Sequence, residues 1–342
     1  MVVRDLRPHC LELPPLGALS ARGHDRAHER GRRAKSGRSR LAQARSRSFG
    51  SRDATFLIQT LVSGIGTGCI YGLIGIGYCV IYNASGIVNF AQGAFVMLGG
   101  LLTHALLTRA GLPLPLAALC AIIIVALVGV LIERLVVQPL WRRNASMFVM
   151  ILATLATQIV IERLTLMAAG DQPKTFPGFS DAPPFKVGGV AISVQLLWVG
   201  AVSLLLVGAL ALFFARTRTG RAMRACAINR EAAALQGIPV ARMLSIAFAL
   251  SAALGAIAGI LITPTQYTAF NVGVPFAISG FIAAILGGFG SAGGAFAGGI
   301  MLGVAQAAAI VLFGAGFKNV AALSILLVFL LARPAGLFGK AH

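Results

Sequence analysis

Six arginines crowd one gap between apolar runs, Arg216, Arg218, Arg221, Arg224, Arg230 and Arg242, against the single acid Glu231. Within this 216–242 loop, the stretch from Gly220 to Ile238 is rich in alanine, favours helix, and ends in the stop signal Gly237 then Pro239. A short amphipathic helix across a membrane face can dock in a groove of a soluble partner and present its charges there. Gly220, Arg221, Arg224, Arg230, Glu231, Ala232 and Gly237 are the candidates for such docking. The competing reading is an ordinary positive-inside loop. A second constellation interrupts an apolar run between residues 82 and 93 with Asn83, Ser85, Gly86, Asn89, Gln92 and Gly93. Asn83, Asn89 and Gln92, with Tyr78 just before them, are candidates for lining a solute path; interhelical hydrogen bonding is the alternative. A third is the glycine-dense run 287–299, where Gly287, Gly288, Gly290 and Gly294 suit either a hinge or close helix packing.

Other chemistry is missing from the sequence. No GxxxxGK[ST] loop is present to cradle a nucleotide, and neither HExxH nor CxxC occurs. Gly64, Gly66 and Gly68 lie in an unbroken apolar run with no preceding strand, so they are no dinucleotide fingerprint. Cys10, Cys69, Cys79, Cys120 and Cys226 lack metal-ligand spacing and form no recognisable disulfide framework. His24 and His28 have no third ligand, and His104 stands alone. Glu133 beside Arg134, and Glu162 beside Arg163, lie toward the ends of apolar segments and are expected to pair or snorkel, which leaves proton coupling without an acid at mid-depth.

These residues need elements to hold them. The chain has 342 residues, 57% apolar and 11% charged, where soluble domains carry about 25% charged residues. Residues 1–54 hold 13 of the 29 Lys and Arg and 5 of the 10 acids; with little apolar periodicity, this tail is expected to be disordered. Beyond it, a helix needs about 20 apolar residues to cross a bilayer. Candidate spans are 56–82, 88–108, 115–137, 147–168, 192–215, 243–263, 275–290, 294–314 and 318–332. The expected fold is therefore an all-α polytopic bundle of eight or nine membrane elements, some short or broken, over residues 55–342. The basic residues are spread through short gaps rather than gathered on a soluble face, which argues against nucleic-acid binding. The positive-inside rule puts 216–242, 138–146 and the C-terminus in the cytoplasm and the sign-balanced 169–191 loop outside. Three full crossings before Pro139 then conflict with an inside basic tail, unless an early element crosses incompletely or the tail is absent from the working protein.

Specific runs carry a resemblance. Gly77 to Gly93, Gly-Tyr-Cys-Val-Ile-Tyr-Asn-Ala-Ser-Gly-Ile-Val-Asn-Phe-Ala-Gln-Gly, resembles the first signature of the branched-chain amino acid ABC transporter permeases. Gly220 to Leu261 resembles their ATPase-coupling loop and following span, and 284–295 and 333–339 resemble their last two signatures. The likeness covers about residues 56–340 in family order; Ala94 stands where many members carry Glu, and the tail has no counterpart. The resemblance implies a bacterial inner-membrane, multi-pass permease subunit without cofactor of its own, whose ATP is used by partners. Those partners are two cytoplasmic ATP-binding subunits, a second homologous permease and a periplasmic substrate-binding protein. Branched-chain amino acids are the leading substrate, and the chain itself is not an enzyme. The alternative is an ATP-independent channel or secondary carrier for a small polar solute such as urea or an amide.

Overall fold

The computed structural model describes residues 56–180, 182–187, 190–333 and 336–338. Expectations for the basic tail, Cys10, His24 and His28 fall outside them. In chain order the helices are α1 (Phe56–Ser85), α2 (Gln92–Arg109), α3 (Leu114–Arg142), α4 (Met147–Ala169), α5 (Val194–Arg216), α6 (Arg218–Ile228), α7 (Arg230–Leu235), α8 (Val240–Gln266), α9 (Gly273–Gly287), α10 (Ala292–Phe313) and α11 (Lys318–Ala332). A small antiparallel hairpin, β1 (Phe185–Val187) with β2 (Val190–Ile192), lies between α4 and α5 and was not anticipated from sequence. Each of the nine expected apolar segments is helical over most of its length. Among the described residues, seven are long and apolar enough to cross a membrane; α2, with 18 residues, and α9, with 15, are not in that set. The protein is an all-α polytopic membrane bundle.

Helix packing explains the glycines. Gly64, Gly68 and Gly72 form a stripe on α1 that lies on Gly303, Gly299 and Phe296 of α10; a Cβ on Gly68 would sit 2.7 Å from the Ile300 Cα. Lipid gives no hydrophobic drive for two helices to associate, so close backbone contact between small residues supplies the attraction. Gly99 and Gly100 of α2 meet α8 in the same way, as does Gly129 of α3. α1 and α8 are thereby enclosed, whereas α4, α5 and α11 turn apolar residues such as Leu155, Leu204 and Leu327 outward. In α3, Pro139 has no N–H for the helical ladder, and the turn before it widens into a π segment over Glu133–Val137.

The two short helices begin inside the bundle. The segment after α1 climbs back from the α6–α7 end, so that Gln92 donates through Nε2 to the Ser251 carbonyl at 3.2 Å. Ser251 is the twelfth residue of α8, so α2 starts about 17 Å along that helix at 1.5 Å per residue. α9 starts at the same depth, with Gly273 packed directly on Gly93. α2 then runs toward the hairpin end, where the His104 ring lies 2.9 Å from the Thr175 carbonyl, while α9 runs the opposite way. The helix of this second element is therefore short, but residues 86–91 and α2 together carry the chain back to the hairpin end, so the element does not cross incompletely in the way one option required, and α1 starts at the hairpin end. Gln59 shares a cleft with Ser193 and Gln266 at the hairpin end, and Asn83, near the end of α1, shares a cavity with Arg224 at the α6–α7 end.

Candidate functional site

Two cavities lie along the seam between α1 and α9, one at each end, with aromatic rings between them. The larger, 920 Å³, lies at the α6–α7 end and is lined by Tyr82 and Asn83 of α1, Phe214 of α5, Arg224 of α6, and Gly288 and Ser291 after α9. The smaller, 430 Å³, at the hairpin end, is lined by Tyr71 of α1, Phe276 and Ser279 of α9, and Asp171, Asn271 and Lys318. Tyr71, Tyr78 and Tyr82 fall at i, i+7 and i+11, one face of a helix. From the wall of the larger cavity inward, the rings of Tyr82 and Phe289 lie 4.8 Å apart, Phe289 and Phe281 5.8 Å, Tyr78 and Phe281 5.8 Å, and Phe90 and Phe281 5.5 Å. Such tilted and edge-on rings form a compact apolar plug. The Tyr78 hydroxyl is buried in it without a hydrogen-bond partner.

The wall between α9 and α10 is a defined break. α9 ends at Gly287, and Gly288 takes φ +91°, a left-handed value that glycine accepts without a Cβ clash. Ser291 starts α10 by accepting from the Gly294 N–H at 3.1 Å. The C-terminal Gly336–Phe338 segment lies over this break. There the Leu337 N–H donates to the Leu286 carbonyl at 2.9 Å, and the Phe338 N–H donates to the Gly287 carbonyl at 3.3 Å. Gly294 packs against Gly287, whereas a Cβ on Gly290 would meet nothing within 4 Å, so of this run only 288–291 is unwound.

The arginine-rich loop folds as two helices, which corrects the single helix expected over 220–238. Asn229 leaves helical geometry at φ −154°, ψ 112°, and its Oδ1 accepts from the Ala232 N–H at 3.0 Å, ending α6 and capping α7. Thr217 caps α6 by accepting from the Gly220 N–H at 2.9 Å. Gly220 is required by the elbow with α5, where a Cβ would lie 2.7 Å from the Phe214 Cα. Gly237, at φ +78°, closes α7, with the Ile238 N–H donating to the Ala233 carbonyl at 3.1 Å. Met223, Cys226 and Ala233 face inward, and Arg221, Arg224, Glu231 and Ala232 face out. Sequence reasoning missed Ile228 and Leu235, each 88% exposed at this surface; the available signal was two large apolar residues in an Arg- and Ala-rich loop. Arg230 turns inward, its guanidinium 5.2 Å from the centre of the Trp141 ring and against Gly86. Burial lowers the Arg230 pKa, and burial pushes the Cys226 thiol up.

The other candidates separate by position. Asn83 lines the larger cavity, while Asn89 and Gln92 are buried and organise the start of α2. The Asn89 Oδ1 accepts from the Ala91 N–H at 3.1 Å, and the Ser251 Oγ lies 2.7 Å from the Gln92 Oε1. Gln158 and Thr154 of α4 complete this cap by accepting from the Ala94 and Phe90 N–H groups at 2.6 and 3.2 Å. Glu133 neither snorkels nor pairs with Arg134: it is buried and accepts from the Ser245 Oγ at 2.7 Å. Among the described residues, the cysteines are free and no group of three or more His, Cys, Asp or Glu could hold a metal.

Comparison with known proteins places this architecture. The family described as the branched-chain amino acid transport system permease component matches residues 60–332. The chain belongs to this family. It is 35% identical over 297 residues to the high-affinity branched-chain amino acid transport system permease protein BraD of Pseudomonas aeruginosa, a match covering 83% of this chain and 96% of BraD. It is 30% identical over 308 residues to the corresponding permease protein LivH of Escherichia coli, with the same shares covered. A shorter match, 30% identity over 217 residues and 60% of each chain, links it to the fructose import permease protein FruG of Bifidobacterium longum. For the permease, the two-cavity seam and the exposed α6–α7 surface are thus the features a transport subunit has to explain.

Proposed function

We propose that this permease imports branched-chain amino acids across a bacterial inner membrane, driven by ATP hydrolysed on two separate subunits, one of them docked at α6–α7. A second permease chain and a periplasmic binding protein complete the assembly, and the binding protein performs much of the substrate selection. The α6–α7 end faces the cytoplasm, in keeping with six arginines against one acid in 216–242. The observation that carries the reading is that Arg224 of α6 and the unwound Gly288–Ser291 segment form walls of one cavity. A push on α6–α7 that narrows this cavity would bear on the break after α9. That break carries Phe289 of the plug, so its displacement would part the rings and join the cavity to the seam above. The amino acid substrate follows from BraD and LivH, the relatives matched over most of the chain.

The test is reconstitution in liposomes. The permease alone, without its ATP-binding partners, should give neither ATP hydrolysis nor leucine flux; with the full set of partners, leucine should accumulate only when ATP is supplied. Leucine flux through the permease alone would favour an ATP-independent carrier and overturn the assignment.

A further inference from the structure

We propose that the 430 Å³ cavity at the hairpin end is a substrate site for the zwitterionic head of an α-amino acid, with Asp171 facing the ammonium and Lys318 the carboxylate. The inference rests on the importer reading and gives it a recognition chemistry. Asp171 and Lys318 line the same cavity, yet no ion pair joins them; the Asp171 Oδ1 accepts only from the neighbouring Gln172 Nε2 at 3.2 Å, and the Lys318 ammonium lies 6.0 Å from the centre of the Tyr71 ring. Two opposite charges left unpaired beside one cavity complement a solute that carries both signs a few bonds apart. The floor is different in kind. Tyr71 and Phe276 are buried there, their ring centres 6.0 Å apart, beside Ser279, whose hydroxyl donates to the Pro275 carbonyl at 3.0 Å. An exposed carboxylate and a half-buried ammonium above buried rings match a charged head and a branched apolar tail. The volume lies in the range of about 300–1,000 Å³ typical of small-molecule sites. A neutral amide or urea has no use for either ion. The tail would rest against the turn of α1 leading to Tyr78, next to the aromatic plug that must open.

The experiment uses the complete assembly in proteoliposomes, with binding protein supplied. Asp171→Asn and Lys318→Gln should each lower leucine uptake per ATP hydrolysed tenfold or more, while ATPase stimulation by binding protein keeps its half-maximal concentration. Asp171→Glu and Lys318→Arg should recover most of the ratio, which a fold defect would not allow. As a second readout, a Ser279→Cys thiol should be alkylated several-fold more slowly in excess leucine, but not in leucinol, which lacks the carboxylate, or 4-methylpentanoate, which lacks the ammonium. Unchanged uptake per ATP in both neutral variants, or equal protection by all three compounds, would overturn the proposal. A shift confined to the half-maximal binding-protein concentration would overturn it too, marking the charges as docking contacts. A wild-type assembly that takes up no amino acid would instead bring down the importer reading on which the proposal rests.

Discussion

At the scale of single residues, chemically similar side chains receive different work from the bundle. Asn83 and Gln92 read alike in sequence, yet Asn83 lines a cavity and Gln92 is tied to Ser251. Nothing local separates them, because the distinction depends on Ser251 of α8, 159 residues after Gln92. Arg230 teaches the same point. Sequence places it among the docking arginines, whereas the structure lays it over Trp141, joining α7 to the last turn of α3. A partly desolvated cation over an aromatic ring contributes about 0.5–2 kcal/mol. Arg230→Ala should therefore destabilise the permease by about 1 kcal/mol and shift Trp141 fluorescence to longer wavelength in a Trp198→Phe background. An unmoved spectrum would mean that the stack does not form in the membrane.

At the scale of elements, the long apolar spans were legible because 20 or so apolar residues in a row leave few alternatives. The half-depth starts of α2 and α9 were only hinted at by the polar interruption, since their depth is set by Gly93 against Gly273 and Ser251 against Gln92. Glycine spacing announced close packing but not its partners. Here α1 and α10 share one seam, so Gly299→Leu should force them apart at about 1–3 kcal/mol or more, as overpacking does, and lower the thermal midpoint in detergent. Retention of the wild-type midpoint would contradict that contact. The α6–α7 pair was read as one helix because Asn229 is an unremarkable residue until its side chain caps α7. Its exposed Ile228 and Leu235 suit the role of anchors buried in a docked partner, where full burial of such a side chain contributes about 1.5–3 kcal/mol. Ile228→Asp and Leu235→Asp should each weaken co-purification of the ATP-binding subunit at least tenfold and spare membrane insertion. Gly237→Val should do likewise, through a left-handed φ that a β-branched residue resists. Full retention of the subunit by all three variants would remove this surface from the coupling account.

For the whole molecule, two cavities separated by packed rings lie along the α1–α9 seam; under the proposed function they are a route closed in the middle, whose movable wall is the break beside α6–α7. Function on this view is the transfer of a push from α6–α7 to the break at Gly288, a short glycine-permissive segment held by the Ser291 cap, the Phe289 ring contacts and the overlying C-terminal segment. The most direct test is the alkylation rate of an Asn83→Cys thiol in the complete assembly, measured against the parent chain. Nucleotide trapping with ATP and vanadate should change that rate severalfold, and Ile228→Asp should abolish the change. An identical rate with and without trapped nucleotide would show that the partner's cycle does not reach this cavity, contradicting the account.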